Sequence, residues 1–75
     1  MKPRPATPLR PVIREARCAE MSGLDRWSRR RLEAEGRFPR RIKIGKRSVA
    51  WFLDEVAAWQ ETLARGEEWR EPADV

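Results

Sequence analysis

The chain predicts a small α+β domain built from two short helices, a two-stranded hairpin and a closing helix. Three patterns carry that reading. Apolar residues at helical spacing flank a Ser22-Gly23 break. Beyond Gly36, Ile42 and Ile44 alternate with charged residues, and Val49 and Trp51 follow after Gly45-Lys46. Finally, Phe52, Val56, Trp59 and Leu63 recur at steps of four, three and four. The chain has 75 residues, enough for one domain. A domain this small buries only about 60% of its unfolded surface, so its core must be compact.

The elements follow in order. Residues 1–11, MKPRPATPLRP, hold four of the six prolines. Proline fixes φ and removes backbone donors, so this stretch is an extended arm, made basic by Lys2, Arg4 and Arg10. Residues 12–66 are the domain. Ile13, Cys18, Met21 and Leu24 fall at roughly helical spacing and predict a helix over 14–21. Ser22-Gly23 turns the chain, and Asp25 caps a second helix that Gly36 ends, a helix–turn–helix arrangement. Pro39 bars helix continuation. The segment RIKIGKRSVAW then predicts a hairpin with one apolar face, one basic face and a tight Gly45-Lys46 turn. Asp54 is expected to cap the last helix, 54–65, which Gly66 terminates. Residues 67–75 are an acidic tail expected to fray, with Trp69 able to pack back on the domain or meet another subunit.

Charge is unevenly distributed. Residues 25–47 carry ten Lys/Arg against three Asp/Glu, while residues 53–75 carry two against seven. A concentrated basic centre suits an anionic partner, of which nucleic acid is the usual one. With one cysteine and no histidine, an internal disulfide cannot form and a Cys/His zinc site lacks ligands. Cys18 is most simply a small buried apolar residue. No nucleophile–base pair is visible, so the expectation is a non-enzyme without metal or cofactor. No apolar run reaches the roughly 20 residues of a membrane span, and the N-terminus lacks the apolar region of a signal peptide. A cytoplasmic protein without membrane contact is expected.

The stretch DRWSRRRLEAEG, 25–36, places four arginines between residues 26 and 31. At about 100° per residue, Arg26, Arg29, Arg30 and Glu33 share one face, and Leu24, Ser28 and Leu32 share the other, with Trp27 at the flank. Such a helix gains little from its own packing. Its composition suits a major groove, where arginine donates two hydrogen bonds to guanine O6/N7 or grips phosphates. Arg41, Lys43, Lys46 and Arg47 make the hairpin basic too, with Lys46 and Arg47 at its tip.

Residues 22–59 resemble the AlpA family of prophage regulators and the related excisionases. The matching residues are SGL (22–24), Arg26, EGRFP (35–39), IKIG (42–45), Arg47, VAW (49–51), Glu55-Val56 and Ala58-Trp59. The resemblance implies a winged helix-turn-helix of the MerR type, with the hairpin as the wing. Three positions depart from the family's pattern. Arg29 stands where an aliphatic core residue is usual, Trp27 where a small residue is usual, and Glu33 at an often apolar position. In the family's frame the inward edge is centred nearer residues 28, 29 and 32. Arg26 and Arg30 face outward in both frames; Arg29 and Arg31 depend on which frame holds.

The candidate DNA-binding residues are therefore Arg26, Trp27, Arg29, Arg30, Arg31, Arg41, Lys43, Lys46 and Arg47. The expected function is sequence-specific binding of double-stranded DNA in a phage or mobile element. The resemblance implies either an excisionase, steering a phage integrase, or a transcriptional regulator. An integrase and further copies on DNA are the partners such roles would involve. The alternative is a non-catalytic interaction module whose basic surface binds an acidic protein.

Overall fold

The computed structural model describes residues 10–72. Most of the expected extended arm, residues 1–9 with Lys2 and Arg4, lies outside the described residues. The elements are β1 (Val12–Ile13), α1 (Glu15–Ser22), α2 (Arg26–Ala34), β2 (Ile42–Lys43), β3 (Val49–Phe52) and α3 (Leu53–Ala64). The three strands form an antiparallel sheet in the order β1-β3-β2. This small α+β arrangement is compatible with a winged helix-turn-helix, as the sequence predicts.

The helix boundaries have local causes. Gly23 adopts φ +70° and donates its N–H to Ala19 O at 2.9 Å, closing α1. Asp25 Oδ1 accepts the Ser28 backbone N–H at 2.7 Å, the N-cap bond that starts α2. That bond also holds the Asp25 carboxyl below its ordinary pKa. At the far end Gly36 takes φ +73°, and Arg37 N–H reaches Leu32 O at 2.8 Å. This is the closure that glycine permits after a helix.

Several expectations need correction. Ile13, which the apolar spacing groups with the residues of the first helix, precedes that helix. It lies in β1, opposite Trp51, and Val12 lies opposite Phe52. Asp54 does not cap α3, which begins one residue earlier, with Phe52 at the cap position and no side-chain cap bond. Asp54 instead pairs with Arg10 at 2.8 Å, and that bond lowers its pKa. Arg10 also reaches Glu55 and lies 3.7 Å over the Phe52 ring.

The hairpin is shorter than the alternation suggests. Pairing runs Ile42 to Ala50 and Lys43 to Val49. Ile44 N–H then closes a wider loop on Ser48 O at 2.9 Å, and Ile44 itself is exposed rather than on a buried face. β3 is the middle strand, so Ala50 as well as Trp51 is buried.

Ile13, Cys18, Phe38, Trp51, Val56 and Trp59 form the core. Met21, Leu24, Leu32, Val49, Leu53 and Trp69 pack around it. Phe38 and Trp59 meet edge to face at 4.9 Å, and Trp59 Nε1 donates to Arg37 O at 3.0 Å. Burial pushes the Cys18 thiol pKa up, in keeping with a packing role. Residues 67–72, expected to fray, are held against the domain. Trp69 packs against the core, Glu71 N–H bonds Gly36 O at 2.8 Å, and Glu68 and Glu71 pair with Arg37 and Arg40.

Candidate functional site

The rotation of α2 decides which side chains are free. Its inward edge is Arg29 and Leu32, not the Leu24–Ser28–Leu32 edge of the simple wheel. Arg29 is only 3% exposed. Its Nε donates to Leu24 O at 3.2 Å, and its Nη1 to Glu15 Oε1 at 3.1 Å. Nη2 completes a two-pronged pair with the other Glu15 oxygen. The guanidinium also stands 5.4 Å over the Trp51 ring. The outward placement of Arg29 is therefore corrected. The helix turns as the family frame requires, and a charged side chain at the aliphatic position stays satisfied by carrying its own counter-ion from α1. The guanidinium in turn holds the Glu15 carboxyl below its ordinary pKa.

Glu33 also leaves the free face. It accepts the Arg41 backbone N–H at 2.9 Å and the Arg41 Nη1 at 2.7 Å, tying the chain after Pro39 to α2. Arg41, one of the candidate contacts, is thus half-buried and neutralised.

The other candidates remain outward. Arg26, Trp27, Arg30 and Arg31 are exposed on α2, and Lys43, Lys46 and Arg47 on the hairpin. None of these cations has a carboxylate partner among the described residues, and neither has Arg14. Every other described Lys or Arg is paired. Arg14 Nε donates instead to Val49 O at 3.1 Å, which brings it to the hairpin base. Sequence reasoning missed Arg14, because its place depends on β1 returning to β3. Arg30 lies 5.8 Å from the Trp27 ring centroid, within cation–π range.

A cleft of about 330 Å³ lies between α2 and the hairpin. Its lining includes Trp51, Phe38 and Val49, with Arg14, Arg26, Arg30 and Arg47 around them. Glu15 and Glu33 also border it, but each is already bound to an arginine. Four unpaired guanidinium groups from three parts of the chain thus meet at one concavity. Such a site favours an anion bearing several oxygens, and arginine binds phosphate in two-pronged geometry.

Among the described residues there is no cluster of metal-ligating side chains, and no helix is long and apolar enough to cross a membrane.

Comparison with known proteins supports the family resemblance. The chain is 34% identical over 65 residues to an uncharacterized protein, ORF88, of Enterobacteria phage P4, covering 76% of this chain and 74% of the relative. The family model described as the prophage CP4-57 regulatory protein AlpA matches residues 11–64. That match spans all six elements, from the residue before β1 to the last residue of α3. The chain belongs to the AlpA family of prophage regulatory proteins.

Proposed function

We propose that the chain binds double-stranded DNA sequence-specifically, with α2 in the major groove and the β2–β3 hairpin as a wing on the flanking backbone. The observation that carries this reading is the division of the cations. Among the described residues the cations without a carboxylate partner are those on the outward side of α2, those at the hairpin strand and tip, and Arg14 beside the hairpin base, while the others, Arg29 and Arg41 included, are held by carboxylates. Unneutralised arginines repel one another, and an arrangement that keeps them together suits a polyanion.

Within this reading the roles divide by position. Arg26, Arg30 and Arg31 lie on a helix that fits the major groove, within reach of base edges and phosphates. Lys46 and Arg47, at the hairpin tip, suit backbone contact. Lys43 and Arg14 add to the same field. Arg41 contributes less, because Glu33 already neutralises it, and Arg29 positions the helix from beneath. On this reading the chain acts in excision beside an integrase, in transcription of mobile-element genes, or in both; membership of a prophage regulatory family supports the regulatory part. Further copies on neighbouring half-sites would extend the contact.

Footprinting on the DNA flanking its own gene tests both levels. Protection of a discrete site supports sequence-specific binding. A protected promoter favours transcriptional regulation, and a protected attachment site favours excision. Uniform, salt-independent failure to bind duplex DNA contradicts the proposal.

A further inference from the structure

Trp27 is 72% exposed, and nothing in the fold requires it there. Its position on α2 is specific. Arg29 and Leu32 mark the inward edge of the helix. At about 100° per residue, Trp27 stands almost directly opposite that edge, with Arg30 and Arg31 roughly 50° to either side. Ala34 follows Trp27 two turns later on the same line and is small. The outermost point of the helix is therefore an indole flanked by two guanidinium groups.

A helix that enters the major groove puts its outermost side chain nearest the groove floor. The polar edges presented there are hydrogen-bonding groups, which arginine can meet. The apolar group among them is the thymine C5-methyl. A flat indole at the centre of the contact would waste its desolvation against polar edges alone, but it matches a methyl group. Arg30, 5.8 Å from the ring centroid, helps hold the indole upright.

We infer that Trp27 is a specificity-determining residue that reads the 5-methyl group of thymine at the centre of the α2 contact. The inference rests on the DNA-binding reading and deepens it. Trp27 acts by apolar contact, while Arg30 and Arg31 beside it supply hydrogen bonds to neighbouring base edges or phosphates.

The test uses duplexes enriched by the full chain from a random-sequence pool. The enriched duplex is resynthesised with each thymine in turn replaced by uracil, which removes only the methyl group. Binding of the wild type and of Trp27→Ala is measured by fluorescence anisotropy, with melting temperature as the fold control. Because Trp27 is exposed, the variant should melt with the wild type. One or two uracil replacements should weaken wild-type binding about fourfold each, the value of one buried methyl group at roughly 0.8 kcal/mol. Trp27→Ala should bind those thymine and uracil duplexes equally. The inference is overturned if uracil costs both proteins the same, if it costs neither anything, or if the enriched site contains no thymine. Burial of Trp27 in a protein dimer without DNA, seen as concentration-dependent loss of acrylamide quenching, overturns it as well. Failure of the wild type to enrich any duplex would instead remove the DNA-binding reading itself, and the inference with it.

Discussion

Arg29 on α2 and Glu15 at the first position of α1 form a two-pronged ion pair directly beneath the cationic face. The two partners are unequally buried, at 3% and 52% side-chain exposure. Removing one is therefore not equivalent to removing the other. Arg29→Leu leaves a carboxylate that water can reach and places an apolar side chain at a core edge. Replacing a buried ion pair this way is often neutral or stabilising. The melting temperature of Arg29→Leu should match or exceed that of the wild type, with DNA affinity unchanged. Glu15→Ala strands a buried guanidinium and should cost about 1–3 kcal/mol. A marked loss of stability in Arg29→Leu, or of DNA binding without any loss of stability, would contradict this assignment.

Acid should unfold the domain through its carboxylates. Glu15, Asp25 and Asp54 are each held below their ordinary pKa, by Arg29, by the Ser28 N–H and by Arg10. A depressed folded-state pKa contributes stability that is complete above the unfolded value, about 4 for carboxylates. That stability is lost as pH falls through the folded value. The chain has no histidine, so the melting temperature should change little between about pH 5 and 8. It should drop below about pH 4, and Glu15→Gln should show a shallower drop. Thermal melts at a series of pH values check both.

Arg30 and Arg26 should matter for DNA and not for folding. Both are exposed, and neither has a carboxylate partner among the described residues. A two-pronged base contact discriminates by about 1–3 kcal/mol. Arg30→Ala should therefore weaken cognate binding roughly ten- to a hundredfold, at an unchanged melting temperature.

The hairpin tip should contribute affinity without sequence preference. Lys46→Ala with Arg47→Ala should weaken cognate and random duplexes alike. The salt dependence of log K should flatten by roughly 0.9 for each phosphate that the tip no longer neutralises. Weakening confined to the cognate duplex would place these side chains on bases instead.

The segment after Gly66 should be part of the folded unit. Trp69 packs against the core, and Glu71 holds Gly36 O. Ending the chain at Gly66 should cost about 1–3 kcal/mol, the scale of burying a large apolar side chain. Unchanged urea unfolding on truncation would return the tail to the frayed state expected from its composition.

Most of the fold was legible because it is written in short-range patterns. Asp25, Gly36, Pro39 and the Phe52–Val56–Trp59–Leu63 spacing each act within a few residues. What stayed hidden depends on distant partners. Two residues are too few for alternation to register, so Val12 and Ile13 show as a strand only when Trp51 and Phe52 are seen beside them. Arg29 reads as a surface residue until Glu15, a turn and a helix away, is known to neutralise it. Arg41 likewise looks free until Glu33 is found bonded to it. The free cations of α2 and the hairpin were identified from sequence, whereas the cleft that gathers them with Arg14 required the tertiary arrangement.

The pairing of β1 with β3 bears on how the domain comes apart. Ile13 opposite Trp51 closes a loop that contains α1, α2 and β2. Closing a loop of roughly forty residues costs chain entropy, so this closure is expected to follow the local contacts of the β2–β3 hairpin and α3. Once made, it locks the loop as one cooperative unit. Amide exchange in α2 should then proceed at the rate of global opening rather than by fraying of a surface helix.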